Sequence, residues 1–449
     1  MKTLHDKSIL VVYLTPPASL GKSAQMLTLK YLRPLGWSPT VVTMARPGIT
    51  GNPVTNWCGV DVITVDPSAN PSWRLSQTLY RARSRLAKAN ILPIANGKVP
   101  GLRMLSASLD YALLPATAAL SFPDRYRQAA PALLEAARLL HREKDFKAVL
   151  SVYDPITAHL VARELAQKEG LPWVVLTKDY YSKQQFQVSS HLDRMTNWVK
   201  ARYERSVVGK SDALLPVFDE MAEYLRQLMP QANVRLLTHC YDDEDFIQGE
   251  SIPTKPGQAF RILWLGAVQH FDKEDIEVFL AALIELLKQG NISRQSFRAR
   301  FVGPSTHVVS SWAKKLGGDQ LEGLLEVVPL VPHQEAMEEL KQATCLLYTP
   351  QVESGGRRRL PEFLASKKPI LVFPPEFERT MSDRVLRKYG AAKIVDRDKE
   401  QIKAVLSAWY REFNATGRLE LPVNEDIVQS FSASHVAAEL DAVLQEVTK

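Results

Sequence analysis

Short apolar runs alternate with amphipathic segments of helical spacing along almost the whole chain. This is the pattern of strands buried on both faces and joined by covering helices. Ser8 to Leu14 is the first such run. A loop with two prolines, Thr15 to Lys22, leads to a helix that reaches Leu35, and Thr40 to Met44 is the next strand. Arg127 to Arg142 has helical spacing, Ala148 to Val152 reads as a strand, and Ala158 to Lys168 as a helix closed by Gly170. Trp173 to Thr177 is a strand ending at Lys178-Asp179, Leu192 to Val208 a long helix, and Ala213 to Val217 a strand.

The alternation restarts at Arg261. Ile262 to Leu265 is a strand ended by Gly266, Glu274 to Lys288 a helix, and Arg298 to Val302 a strand ending in Gly303-Pro304. A helix, a strand at Leu325 to Val328, a helix from His333 to Ala343 and a strand at Cys345 to Tyr348 come next. The expected fold class is therefore α/β, with two doubly wound Rossmann-like domains whose strand ends face a cleft. The expected boundaries are 1–237 for the first domain, 238–260 for a hinge linker and 261–425 for the second domain. A C-terminal helix over 426–449 is expected to pack back on the first.

Composition narrows the class. The 449 residues exceed one ordinary core, and 45% apolar with 23% charged residues is the balance of a soluble globular protein. No run is long and uncharged enough to span a bilayer, and the N-terminus runs straight into a strand, so no secretory signal is expected. The isolated Cys58, Cys240 and Cys345 offer no paired metal ligands and suggest a reducing compartment, the cytoplasm.

Charge is uneven. Arg74, Arg81, Arg83, Arg85, Lys88, Lys98 and Arg103 lie in a stretch with no acidic residue and match the whole net charge of +7. Arg81, Arg85 and Lys88 share one helical face, with Leu75, Leu79 and Leu86 available for another. The segment 74–103 is either a solvated insertion or a contact for an anionic membrane surface. Nucleic acid is not expected as a partner, because few aromatics accompany the cations. Gly21-Lys22-Ser23 is not a phosphate-binding P-loop, since Pro16 stands where that motif needs a glycine.

The richest chemistry lies in Gln351 to Pro375, QVESGGRRRLPEFLASKKPILVFPP. Gly355-Gly356 lets the backbone turn or approach a ligand, Arg357, Arg358 and Arg359 come after it, and a helix carrying Glu362 runs to Pro369. A strand, a glycine loop, cations and a helix start together can seat a phosphate-bearing ligand, although a basic surface loop has the same composition.

These segments, in this order, resemble a GT-B-fold glycosyltransferase of the large family 4 type (glycosyltransferase group 1). The resemblance runs through Leu14-Thr15-Pro16-Pro17 with Gly21, KAVLSVYDPITAHLVARELAQKEGLPWVVLTKDYYS, His239-Cys240-Tyr241-Asp242, ILWLGAVQHFDKEDIEVFLAAL and RLPEFLASKKPIL. It implies a nucleotide-sugar donor held by the second domain and retention at the anomeric carbon, with no metal and no cofactor beyond that substrate. Glu362 matches the glutamate that accepts from the ribose hydroxyls, and Arg359, with Arg358, the cation on the diphosphate. Gly355 and Gly356 match the backbone near phosphate or sugar, and Gly266 the glycine beside the phosphates. His333 falls in the segment that meets the base. Glu353 corresponds to the glutamate on the donor sugar, with one residue more before Glu362 than the family spacing. Gly21 belongs to the acceptor-side loop.

Two positions depart from the family. Gln269-His270 and Lys273 stand where it has an Arg/Lys pair, leaving Lys273 as the candidate cation. Tyr153-Asp154-Pro155 stands where relatives have histidine, an acidic residue and proline. His159, Asp154 and Asp179 are therefore the candidate catalytic groups on the acceptor side. The implied acceptor is a glycan or a lipid-linked sugar in cell-surface polysaccharide or glycoconjugate synthesis, at the inner face of the membrane. A catalytically silent nucleotide-sugar-binding protein of the same fold is the alternative.

Overall fold

The structure is a computed structural model describing residues 7–14, 23–45, 53–91, 113, 119–153, 155–182, 191–246, 258–349, 358–373 and 380–449. It divides into two compact units. The first comprises Met1–Val217, Met221–Leu237 and Ala437–Lys449, and the second Phe218–Glu220 and Thr238–Val436.

The strands of the first unit are β1 (Lys7–Tyr13), β2 (Trp37–Met44), β3 (Val54–Trp57), β4 (Val60–Val65), β5 (Ala148–Val152), β6 (Trp173–Thr177) and β7 (Ala213–Pro216). They form one sheet in the order β3-β4-β2-β1-β5-β6-β7, parallel except at the β3–β4 pair. β1 lies between β2 and β5, with Ile9 opposite both Pro39 and Ala148. Ile9, Leu10, Val11 and Val12 have no solvent exposure, which is why their run is apolar without alternation. Helices α1 (Ala24–Leu32), α2 (Pro71–Ile91), α3 (Ala130–Lys144), α4 (Thr157–Glu169) and α5 (His191–Val208) occupy the crossovers, and α6 (Asp219–Leu228) comes after β7. Ser23 starts α1 by accepting from the Met26 amide at 3.1 Å.

Two features differ from the sequence expectation. β2 begins at Trp37, so Pro39 lies inside a strand. The β3–β4 hairpin turns on Cys58 and Gly59, both at positive φ (49° and 81°), as a tight two-residue hairpin requires. Its chemical mark in the sequence is Gly59, whose amide donates to Asn56 Oδ1 at 2.9 Å.

The second unit has β8 (Phe260–Leu265), β9 (Phe297–Val302), β10 (Leu325–Val328), β11 (Cys345–Tyr348), β12 (Ile370–Val372) and β13 (Ala392–Ile394). They make a parallel sheet in the order β10-β9-β8-β11-β12-β13. Its helices are α7 (Asp243–Phe246), α8 (Lys273–Lys288), α9 (His307–Lys315), α10 (His333–Gln342), α11 (Leu360–Ala365), α12 (Met381–Tyr389), α13 (Lys399–Thr416), α14 (Glu425–Gln429) and the start of α15 (Ala433–Val447). Phe260, Phe279, Phe297 and Phe301 pack in its core against Ile402, Leu406 and Trp409 of α13. The helix of α11 stops at Ala365, before the expected Pro369, because Lys367 turns left-handed at φ 54°.

The larger part of α15 belongs to the first unit. Leu440 and Leu444 are buried there, and Trp37 Nε1 donates to Asp441 at 2.8 Å. No described helix is long and apolar enough to cross a membrane.

Candidate functional site

In a doubly wound sheet, ligands bind where strand order reverses, beyond the carboxyl ends of the strands. In the second unit the reversal lies between β8 and β11. The residues just past these strands are Gly266 and Thr349.

Backbone and one buried carboxylate set this edge. The Gly266 amide donates to the Val302 carbonyl at 2.9 Å, and the Val268 amide to Pro304 at 3.2 Å. Gly266 and Gly303 sit at φ 139° and 144°. A Cβ at Gly303 would stand 2.2 Å from the Gly266 carbonyl oxygen, so the close approach of the two strand ends requires glycine. Asp272, 1% exposed, accepts from the Gln269 amide at 2.7 Å and from Thr349 Oγ1 at 2.8 Å. One side chain thus ties the loop after β8 to the end of β11. Charge-assisted bonds to a buried carboxylate are each worth about 1.5–3 kcal/mol.

Glu362 and Arg359 lie at the start of α11, where burial of Leu360, Phe363 and Leu364 fixes the helix. Each such side chain contributes about 1.5–3 kcal/mol. Arg359 Nη1 donates to Glu362 Oε2 at 2.5 Å. A guanidinium has five donors, so this bond orients the carboxylate and leaves most of the fork for an anion. Arg358 is exposed. His333 opens α10 and pairs through Nε2 with Asp245 Oδ2 of α7 at 2.7 Å. The Asp245 bond raises the proton affinity of His333, partial burial opposes it, and the fields of Glu362 and Arg359 act in opposite senses. His333, Arg359 and Glu362 are therefore close enough to feel one another. Lys273, at the first turn of α8, leans toward Glu277 of the same helix at 3.7 Å.

In the first unit the order reverses between β1 and β5, and Tyr153 comes directly after β5. His159 is 1% exposed, and burial pushes its pKa down to about 3, so its imidazole is neutral. Its Nδ1 lies 2.8 Å from Ser151 Oγ, which also accepts from Trp173 Nε1 at 2.8 Å, and the Tyr153 ring stacks at 6.0 Å. Asp179 stands next to Lys178 at the end of β6. Its surroundings raise the proton affinity of the carboxyl and Lys178 opposes this, while its exposed surface lets solvent screen both effects.

Several groups here carry no local signal in the sequence. Asp124 accepts from the Thr157 amide at 2.7 Å and from Thr157 Oγ1 at 2.8 Å, capping α4, and burial raises its pKa. Glu204 of α5 is 5% exposed and has its pKa pushed up to about 7 by burial. Ser182, three residues past Asp179, donates to Glu204 and bonds to the Tyr224 hydroxyl. Tyr181 beside it is covered by the Lys200 ammonium at 5.9 Å from its ring. Asp245 and Asp272 are the corresponding unread groups of the second unit.

The candidates Gly21, Asp154, Glu353, Gly355 and Gly356 lie outside the described residues. The basic segment 74–103 is described as far as Ile91. Arg81 and Arg85 of α2 are exposed, but Leu75 is also 52% exposed and the buried residue of that stretch is Ser76. The expected apolar face of α2 is therefore not packed at Leu75. Among the described residues, no three His, Cys, Asp or Glu side chains gather as a metal site.

No family model matches the sequence, and no curated protein matches it. Solved structures match the fold over both chains' full lengths. OtsA in its apo form aligns with a TM-score of 0.61 at 11% identity, covering 98% of this chain and 99% of its own. Sucrose-phosphate synthase from Thermosynechococcus elongatus aligns with a TM-score of 0.59 at 11% identity, with coverage of 98% and 99%. HepE from Anabaena, solved in complex with UDP and glucose, aligns with a TM-score of 0.56 at 10% identity, with coverage of 98% and 100%. The chain has the two-unit α/β architecture of the GT-B fold.

Proposed function

We propose that this protein is a glycosyltransferase that moves a sugar from a nucleotide-sugar donor to a glycan or lipid-linked acceptor with retention, in cell-surface polysaccharide or glycoconjugate synthesis. The observation that carries the reading is the group Arg359, Glu362 and His333, held within one another's fields, with Arg359 and Glu362 opening the helix that comes after β11 in the chain. The HepE complex with UDP and glucose, on the same fold, supports it.

In this reading Glu362 accepts from the ribose hydroxyls while Arg359, with Arg358, binds the diphosphate. Gly266, at the end of β8, stands beside the phosphates as the matching glycine of the family pattern does, Gly355-Gly356 bring main-chain amides toward them, and His333 meets the base. No resident metal or cofactor is assigned, because the arginines meet the leaving charge. The bond from the anomeric carbon to the diphosphate oxygen breaks, and a bond from that carbon to the acceptor oxygen forms on the same face. The acceptor proton passes to the departing phosphate oxygen, so a neutral, buried His159 is no obstacle. Positioning and charge stabilisation then supply most of the acceleration. Asp179 orients the acceptor. A lipid-linked acceptor places the work of a cytoplasmic enzyme at the inner face of a membrane, where the lipids are anionic.

A panel of nucleotide sugars tests the reading. The cognate donor should raise the melting temperature of the protein and not of Glu362→Ala, since ligand bound to the native state stabilises it. If no donor in the panel stabilises or is consumed, the reading fails. Tyr153 in place of histidine favours a second reading, a silent binder of the same donor. Donor binding with no turnover toward any acceptor would select it.

A further inference from the structure

We propose that the outward face of α5 is a docking surface for an anionic phospholipid membrane, separate from the cationic helix α2. The residues of α5 divide cleanly between two faces. Glu204, Val207 and Val208 are buried against the first unit. On the other side Met195, Trp198 and Val199 stand 59%, 63% and 44% exposed, three large apolar side chains on one stripe of one helix. At 100° per residue, Arg202 and Arg205 continue that stripe toward the C-terminal end. The Arg202 guanidinium lies 6.0 Å from the Trp198 ring centroid.

The stripe borders a groove of about 720 Å³ between α5 and the segment after α6. Trp198, Leu228 and Met229 give it apolar walls, while Arg202, Arg205 and Lys210 supply its charge. Among its described lining residues there is no carboxylate.

Apolar side chains at one end and cations at the other fit the boundary between acyl chains and anionic headgroups. Tryptophan belongs at that depth, and each cation near such a surface strengthens binding about fivefold. Nucleic acid fits less well, because one indole provides no stacking series. An acidic polypeptide would use the cations and leave Met195 and Val199 in water. The surface stands whether or not the second unit binds a nucleotide sugar.

Flotation of the full chain with phosphatidylcholine vesicles, with and without phosphatidylglycerol, tests this. The protein should float with the anionic vesicles at low salt and be released as salt rises. The double variant Arg202→Glu/Arg205→Glu should lower partitioning by at least about tenfold, as two reversed cations imply. Met195→Ala/Trp198→Ala should lower it several-fold, and Arg81→Glu/Arg85→Glu on α2 should leave most of it. All three pairs change exposed side chains, so unchanged melting temperatures verify folding. A blue shift of tryptophan emission on anionic vesicles, reduced in Trp198→Phe, gives a second readout. Failure of the parent to float at low salt overturns the proposal. So does equal binding to neutral vesicles, capture by an acidic polypeptide or RNA without vesicle binding, or loss in the α2 variant with the α5 variants unaffected.

Discussion

Glu204 keeps a carboxyl in the interior, its proton retained by burial up to about pH 7 where an exposed glutamate would release it near 4.5. The raised value fixes the sign of its effect. Its contribution to stability is complete below about pH 4.5 and is lost as pH rises through about 7. The step corresponds to roughly 3 kcal/mol between the two limits. Glu204→Gln keeps the shape and the bond from Ser182 without the charge. It should melt close to the parent at pH 4.5 and distinctly higher at pH 8.5; equal melting temperatures at pH 8.5 would show that the charge is relieved some other way. His333 obeys the same sign, since Asp245 raises its proton affinity. Proton NMR should find it titrating above 6.5, and lower in Asp245→Asn, with the stability from this pair present in acid and lost as pH rises through its folded value. Titration at 6.5 or below in the parent would mean that the pair does not form in solution. Glu362, Arg359 and His333 are picked out in the sequence by their resemblance to a family pattern, and the roles given to them are proposals. Asp245, Asp272, Asp124 and Glu204 are not picked out. The partners that tie each of them to another element lie 88, 77, 33 and 22 residues away, too far for local spacing to mark them.

The loop after β8 illustrates control by the backbone. Gly303 and Gly290 both have positive φ, but only at Gly303 would a Cβ meet protein, at 2.2 Å from a carbonyl oxygen. Alanine at either position incurs conformational strain of about 1–2 kcal/mol. Gly303→Ala should lose a further 1–3 kcal/mol, approximately the cost of overpacking, and displace Gly266. Urea unfolding of the two variants, set beside their nucleotide-sugar affinities, separates strain from displacement. Equal losses would mean that the strand ends part easily. The strands β5, β6, β7, β11 and β12 are readable because buried parallel strands are continuous apolar runs. The β3–β4 hairpin is not, because Val54, Thr55 and Asn56 are exposed and supply no apolar alternation. Pro39 likewise conceals the first residues of β2, where a missing amide argues against a central strand.

At the scale of the whole molecule, the first unit is discontinuous: residues 437–449 complete it after the entire second unit has intervened. Val443 and Leu444 are 5% and 0% exposed within it, and Arg235 meets Glu446 at 2.6 Å. A fragment ending at Leu237 should therefore be poorly folded and bind hydrophobic dye. Adding a peptide of residues 433–449 should restore part of its helical circular dichroism, and a fragment that melts cooperatively without the peptide would contradict this. The consequence reaches into biosynthesis. On the ribosome the N-terminal half emerges early and must wait, its last helix not yet translated, until the whole second unit has been made. Premature termination between Leu237 and Ala437 would thus release a chain whose first-made part is still unfinished, a natural substrate for chaperones and proteases.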